Sequence, residues 1–274
     1  MHEESRDESG RRTRVDRRTL LRDSALVAGG VLLGGMTGIS TAGEASAATG
    51  PKVYTRADWG AREPTSRIDV LGRGPTHIVV HHTATANVSS TSTSHAAALS
   101  RNIQRHHMDG NGWSDIGQQL TISRGGHVME GRDQTLRAIS AGHHVVGAHT
   151  ADHNGHAIGI ENEGTYTSAT PPRVLFSALV DTCVWLCLAY RLDPEQAIVG
   201  HRDYNPTGCP GDRLYAMLPR LRSEVRRRMR GRLSHQAGAE PAVEELPTYP
   251  TVPLTESTAT FYHGPTVGGN DTAP

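Results

Sequence analysis

The stretch HIVVHHTAT, residues 77–85, runs a β-branched segment into two adjacent histidines and then into small polar residues. Side chains alternate across a strand, so His81 and His82 must face opposite sides of any sheet that this segment joins. Periodicity alone leaves open which of the two sits over a functional site. Around it, apolar runs at 76–82, 117–123, 127–132, 157–164 and 197–201 predict strands. SRGG at 123–126 predicts a hairpin turn between the second and third of them. Helices are expected over 92–108, 172–191 and 211–230, the first opened by Ser and Thr and the second by TPPR. The third carries Leu214, Met217, Leu218, Leu221, Val225 and Met229 on one stripe and a basic opposite face. That basic face suits solvent, with anionic wall polymers as the other reading. Strands interleaved with helices, some joined by hairpins, predict one α/β domain. Its central mixed sheet has about five strands covered by about three helices.

Composition narrows the function classes. The chain has 274 residues, 36% hydrophobic and 20% charged, with 28 Lys and Arg against 28 Asp and Glu. That balance calls for neither nucleic acid nor a membrane surface as partner. Sixteen histidines raise the expectation of metal or proton-transfer chemistry. Residues 1–47 read as a signal peptide: a basic start, an apolar run over 25–39 broken by glycines, and a small-residue ASA site at 45–47. Arg17 and Arg18 followed by Thr19, Leu20 and Leu21 resemble a twin-arginine export signal, so an extracellular or wall-associated location is expected. Removing residues 1–47 leaves the charge balance neutral, and no membrane-spanning segment is expected in the mature chain. The domain is expected over 48–231. A Pro- and Thr-rich tail without periodicity fills 232–274 and reads as disordered.

Three cysteines occur, and an odd count is not a complete disulfide framework. Cys183 and Cys187 sit four apart in an apolar helical pattern and read as small core residues. Cys209 differs: in IVGHRDYNPTGCPGDRLY (198–215) a strand delivers His201 into a loop that carries Cys209 eight residues later. A loop of that length can fold an imidazole and a thiolate onto one zinc ion.

VVHHTAT, GWSDIGQQLTISRGGHVMEGR, VGAHTADHNGHAIGIENEG and GHRDYNPTGCPG follow one another along the chain. Together they resemble the peptidoglycan-recognition-protein family and the type 2 N-acetylmuramoyl-L-alanine amidases, over roughly residues 52–222. The resemblance implies a secreted zinc hydrolase, expected as a monomer. Its reaction would cleave the amide between N-acetylmuramic acid and L-alanine of the stem peptide in peptidoglycan, with zinc-bound water as nucleophile. It implies His81, His201 and Cys209 as zinc ligands with a fourth position open, as in catalytic rather than structural sites. Many family amidases carry Tyr in D-I-G-Y, where this chain has Gln118 in DIGQ. Relatives that cleave anhydro-muropeptides use the first Glu of the matching strand as general base, which falls on Glu161. Glu163, on the same face of that strand, is expected to be structural at its exposed end. Thr207 matches a position that stabilises the tetrahedral intermediate. His149 and Asn154 match groove-lining positions, and Arg132 is expected to meet a stem-peptide carboxylate. Trp59 and Trp113 fit the pattern as structural anchors, and Asp115 is expected to bind backbone or a neighbouring His. His143, His144, His153 and His156 are expected at the surface or behind the site. The competing reading is a recognition module that binds stem peptide without cutting it.

Overall fold

The computed structural model describes residues 50–236; the segment expected as a signal peptide and most of the segment expected as a tail lie outside the described residues. In chain order the elements are β1 (Val53–Tyr54), α1 (Arg56–Trp59), β2 (Val70–Leu71), β3 (His77–His82) and α2 (Thr93–Arg105). Then come β4 (Leu120–Ile122), β5 (Val128–Glu130), α3 (Thr135–Ser140), β6 (His144–Val145), β7 (Ala157–Asn162) and α4 (Arg173–Tyr190). The chain continues through α5 (Pro194–Ala197), β8 (Ile198–Gly200), α6 (Asp212–Ala216) and α7 (Leu218–Gln236).

The mixed sheet has the order β1-β5-β4-β7-β3-β8, six strands where about five were expected. The sixth is the two-residue β1, parallel to β5, too short to show periodicity in the sequence. Strands β3, β7, β8 and β4 run parallel, while β4 and β5 form the expected hairpin. Its turn closes with Gly126 N–H donating to Ser123 O at 2.8 Å, and Gly126 takes φ +78°, a conformation that favours glycine. A separate two-stranded ribbon pairs β2 with β6.

Alternation along the strands separates two faces. Ile78, Val80, Ile158, Ile160, Leu120 and Ile122 enter the main core with Phe176, Leu179, Cys183 and Cys187 of α4 and Leu221 and Val225 of α7. Both cysteines are buried in the core, as their apolar helical pattern predicted, and both are free thiols. By length and mean hydropathy (18 residues, 1.5) α4 could cross a membrane, but its apolar face is spent on this core. Truncating Phe176 to Ala at the centre of that contact should cost about 3–5 kcal/mol in urea unfolding. A loss below 1 kcal/mol would place α4 outside the core.

The other face carries a row set by strand register: His81 opposite Glu161, Glu161 opposite Thr121, Thr121 opposite Met129. At one end of the row Met129 packs under Ala96 of α2 and Trp59. Trp59 donates its indole N–H to Glu130 O at 2.7 Å, the anchoring role expected of it. Trp113, 7% exposed, stacks at a tilt on His107 with centroids 4.6 Å apart. Asp115 binds Arg56 at 2.9 Å, the Gln104 amide at 2.7 Å and the Asp133 N–H at 2.8 Å, so its partners are an arginine, an amide and backbone, not a histidine. The expected single helix over 211–230 is two, α6 and α7, because Pro219 brings no N–H to a continuous ladder and sits in the first turn of α7 instead.

Candidate metal centre

Register brings the first two corners of the site together. Val80 of β3 lies opposite Gly200 of β8, so the next residues, His81 and His201, leave neighbouring strand ends side by side. Their rings have centroids 4.5 Å apart. The loop after His201 then turns back: Asn205 N–H donates to His201 O at 3.1 Å, and Arg202 N–H donates to Cys209 O at 3.1 Å. Arg202 also clamps the loop through its guanidinium on Gly208 O and Asp212. Cys209 thereby reaches His81, with Sγ 3.6 Å from Nδ1. The ligand atoms of His81, His201 and Cys209 all lie within 4.8 Å of one another, and all three side chains are buried.

The donor set fits a divalent zinc ion on three counts. His201 Nε2 is anchored on Asn205 Oδ1 at 3.1 Å, while its buried Nδ1 has no hydrogen-bond partner. Burial pushes His201 down to about 4, so the ring is neutral and offers a lone pair at physiological pH. Burial, with the Glu161 carboxylate nearby, pushes the Cys209 thiol well above its ordinary range; the His82 N–H, 3.4 Å from Sγ, acts in the opposite sense. Burial also pushes Glu161 well above the carboxylate range. Two buried acids ionise together at low cost only beside a cation. Two imidazoles and one thiolate are a zinc donor set.

Glu161 Oε1 lies 4.0 Å from His81 Nδ1 at full burial. His82 faces the other side, where its Nδ1 accepts the Tyr166 N–H at 3.1 Å. Thr207, half-buried on the loop, accepts the Cys209 N–H on Oγ1 at 3.2 Å. Gln118 is buried beside the row and donates its amide to Thr121 Oγ1 at 2.9 Å; its Oε1 has no hydrogen-bond partner. Asn154 accepts the N–H groups of His149 and Thr150 on Oδ1 at 2.9 and 3.0 Å, and so holds a loop. Arg132, 3% exposed, donates to Ile116 O at 3.1 Å. His149 is fully buried against His81, with Nδ1 3.1 Å from its Nε2. Gln118, Arg132, His149 and Asn154 are thus all buried, each with at least one polar atom bonded within the protein.

Glu163 departs from its expected exposed position. It is 1% exposed, accepts the Arg124 N–H at 2.7 Å and meets His95 Nε2 at 2.5 Å. His153 stacks on Tyr204 at 3.8 Å and meets His156 at 3.3 Å, outside the three-residue cluster. Asn205, Thr150 and Gly159 are site residues that the sequence reading missed. A mid-strand glycine in AIGIENEG was the available signal, since it marks close approach by another group.

Of the two positions expected for His144, surface or behind the site, it takes the buried one: it is 1% exposed and bonds Asn154 O at 2.7 Å through Nε2, with Nδ1 buried and unpartnered. Burial lowers it to about 4. Unfolded, the ring titrates near 6.5, so between pH 4 and 6.5 the unfolded chain binds the extra proton. Stability is complete above 6.5 and falls by up to about 3 kcal/mol as pH drops toward 4. His144→Gln keeps a donor for Asn154 O without titrating, so its unfolding midpoint should drop less than wild type between pH 6.5 and 4.5. Equal drops would contradict this assignment.

Comparison with known proteins follows the same lines. The family model described as N-acetylmuramoyl-L-alanine amidase (Amidase_2) matches residues 71–212. A human N-acetylmuramoyl-L-alanine amidase is 34% identical over 201 residues, 72% of this chain and 33% of that protein. The chain therefore spans about a third of the length of that relative. Peptidoglycan-recognition protein LB of Drosophila melanogaster is 30% identical over 167 residues, 61% of this chain and 67% of that protein. The solved structure of wild-type Drosophila PGRP-LB superposes with a TM-score of 0.53 at 28% identity, covering 61% of this chain and 92% of that one. A tyrosine-to-phenylalanine variant of it, solved in complex with tracheal cytotoxin, gives 0.52 at 28% identity over the same 61% and 92%. With its mixed sheet and helices arranged as in these structures, the chain belongs to the N-acetylmuramoyl-L-alanine amidase family of the peptidoglycan-recognition fold.

Proposed function

We propose that this chain is a zinc-dependent peptidoglycan hydrolase that cleaves the amide between N-acetylmuramic acid and L-alanine of the stem peptide. One observation carries the reading: three buried donors, His81, His201 and Cys209, converge within 4.8 Å, with the Glu161 carboxyl 4.0 Å from the first. His81, His201 and Cys209 would hold the ion. Zinc, when bound, supplies Lewis-acid polarisation of a carbonyl and an activated water near neutral pH. Glu161 takes a proton from the attacking water as the new C–O bond forms. It returns that proton to the L-alanine nitrogen as the C–N bond breaks. Thr207 Oγ1 already accepts from Cys209 N–H, which leaves its own hydroxyl proton to donate to the developing oxyanion. Gln118 cannot exchange a proton in the way a Tyr hydroxyl can, so Glu161 carries the acid–base work alone. Gln118, Arg132, His149 and Asn154 shape the groove from behind through the contacts above.

The related peptidoglycan recognition protein LE, solved in complex with tracheal cytotoxin, a monomeric diaminopimelic acid-type peptidoglycan, supports a muropeptide as ligand. Export through the twin-arginine route, with action outside the cell, belongs to the same reading and rests on residues 17–47. Gln118 favours a second reading, binding of stem peptide without cleavage. Digestion of purified peptidoglycan separates the two. The hydrolase releases free L-alanine amino termini without new reducing sugar ends; a recognition module releases neither.

A further inference from the structure

His81 can serve a metal through Nδ1 only if its proton sits on Nε2, and the surroundings of His149 decide that placement. The His149 ring occupies a slot cut by two glycines. A Cβ on Gly159 would come within 2.7 Å of its Cγ and Nδ1, and one on Gly147 within 2.5 Å of its Cδ2. In that slot Nε2 lies 3.2 Å from Ala157 O. A carbonyl only accepts, so Nε2 of the neutral ring carries the proton and Nδ1 is the lone pair. That lone pair faces Thr150 Oγ1 at 2.9 Å and His81 Nε2 at 3.1 Å, with the two rings nearly perpendicular at 84°. Thr150 Oγ1 lies 3.4 Å from His81 Nε2 as a second acceptor. His81 must therefore donate from Nε2, which points the Nδ1 lone pair toward Cys209 Sγ at 3.6 Å.

We propose that His149 is a positioning residue that sets the tautomer of His81, relaying the Ala157 carbonyl through its ring to the candidate metal ligand. Asn154 holds the relay in place by taking the His149 and Thr150 N–H groups on one oxygen. His201 receives the equivalent orientation from Asn205, so each imidazole of the site has its own anchor. This role rests on the zinc reading of the site, but the tautomer itself does not.

The test uses ¹⁵N imidazole spectra of the metal-free chain together with zinc affinity from chelator competition, in wild type, His149→Phe and His149→Gln. Wild type should show His81 and His149 both protonated at Nε2. Phe keeps the ring volume without an acceptor, so His81 should become a tautomer mixture and zinc affinity should fall about 10–100-fold. Gln can donate to Ala157 O and accept from His81, so it should restore most of both. Wild-type His81 protonated at Nδ1 overturns the proposal, and so does a Phe variant with unchanged tautomer and affinity. Wild type with the expected tautomers but no zinc binding leaves the relay standing and sinks the metal reading instead.

Discussion

Cys209→Ser is expected to keep the fold and to weaken zinc binding by about two orders of magnitude or more, with turnover lost in parallel. The thiolate is the one anionic donor of the three-residue cluster, and a serine hydroxyl near neutral pH supplies neither its charge nor its softness. The substitution is small: Cys209 is 2% exposed, and its Sγ meets the His82 N–H at 3.4 Å, which an oxygen can also accept. Unfolding midpoints of the metal-free proteins should therefore stay within about 1 kcal/mol of each other, and this separates metal loss from misfolding. Chelator competition reads the affinity. Wild-type affinity in the serine variant would remove Cys209 from the ligand set.

Glu161→Gln should act on the other half of the chemistry. The two side chains have the same shape, and the site is buried, so zinc binding should persist. A buried amide cannot take and return a proton, and turnover on peptidoglycan should fall by about 10²–10⁴-fold. Normal turnover in this variant would move the general base elsewhere. Loss of zinc together with turnover would make Glu161 a ligand instead, for which its 4.0 Å approach to His81 Nδ1 leaves room.

The sequence carried some of this plainly and concealed the rest for physical reasons. Parity along HIVVHH puts His81 and His82 on opposite faces, and the structure supplies the choice between them by sending Ile78 and Val80 into the core. The mixed sheet, the hairpin at 123–126 and the core cysteines follow from local patterns of the same kind. What local patterns lack is register. That Gln118 lies over Thr121, and Thr121 opposite Glu161, depends on how β4 meets β7, some forty residues away in the chain. Glu163 reads as an exposed strand end until α2 brings His95 to it. His149 reads as a groove residue because it matches a groove-lining position of the family that the chain resembles. Its burial follows from Gly147 and Gly159 making room behind His81, a relation that no single segment displays.

The central claim is that one metal ion, held by His81, His201 and Cys209, makes this chain an amidase. The most direct test strips the chain of metal and titrates zinc back against release of L-alanine amino termini from peptidoglycan. Release should be absent in the stripped protein, rise linearly with added zinc and stop rising at one ion per chain. Undiminished release from the stripped protein would contradict the claim, as would no release at any zinc concentration.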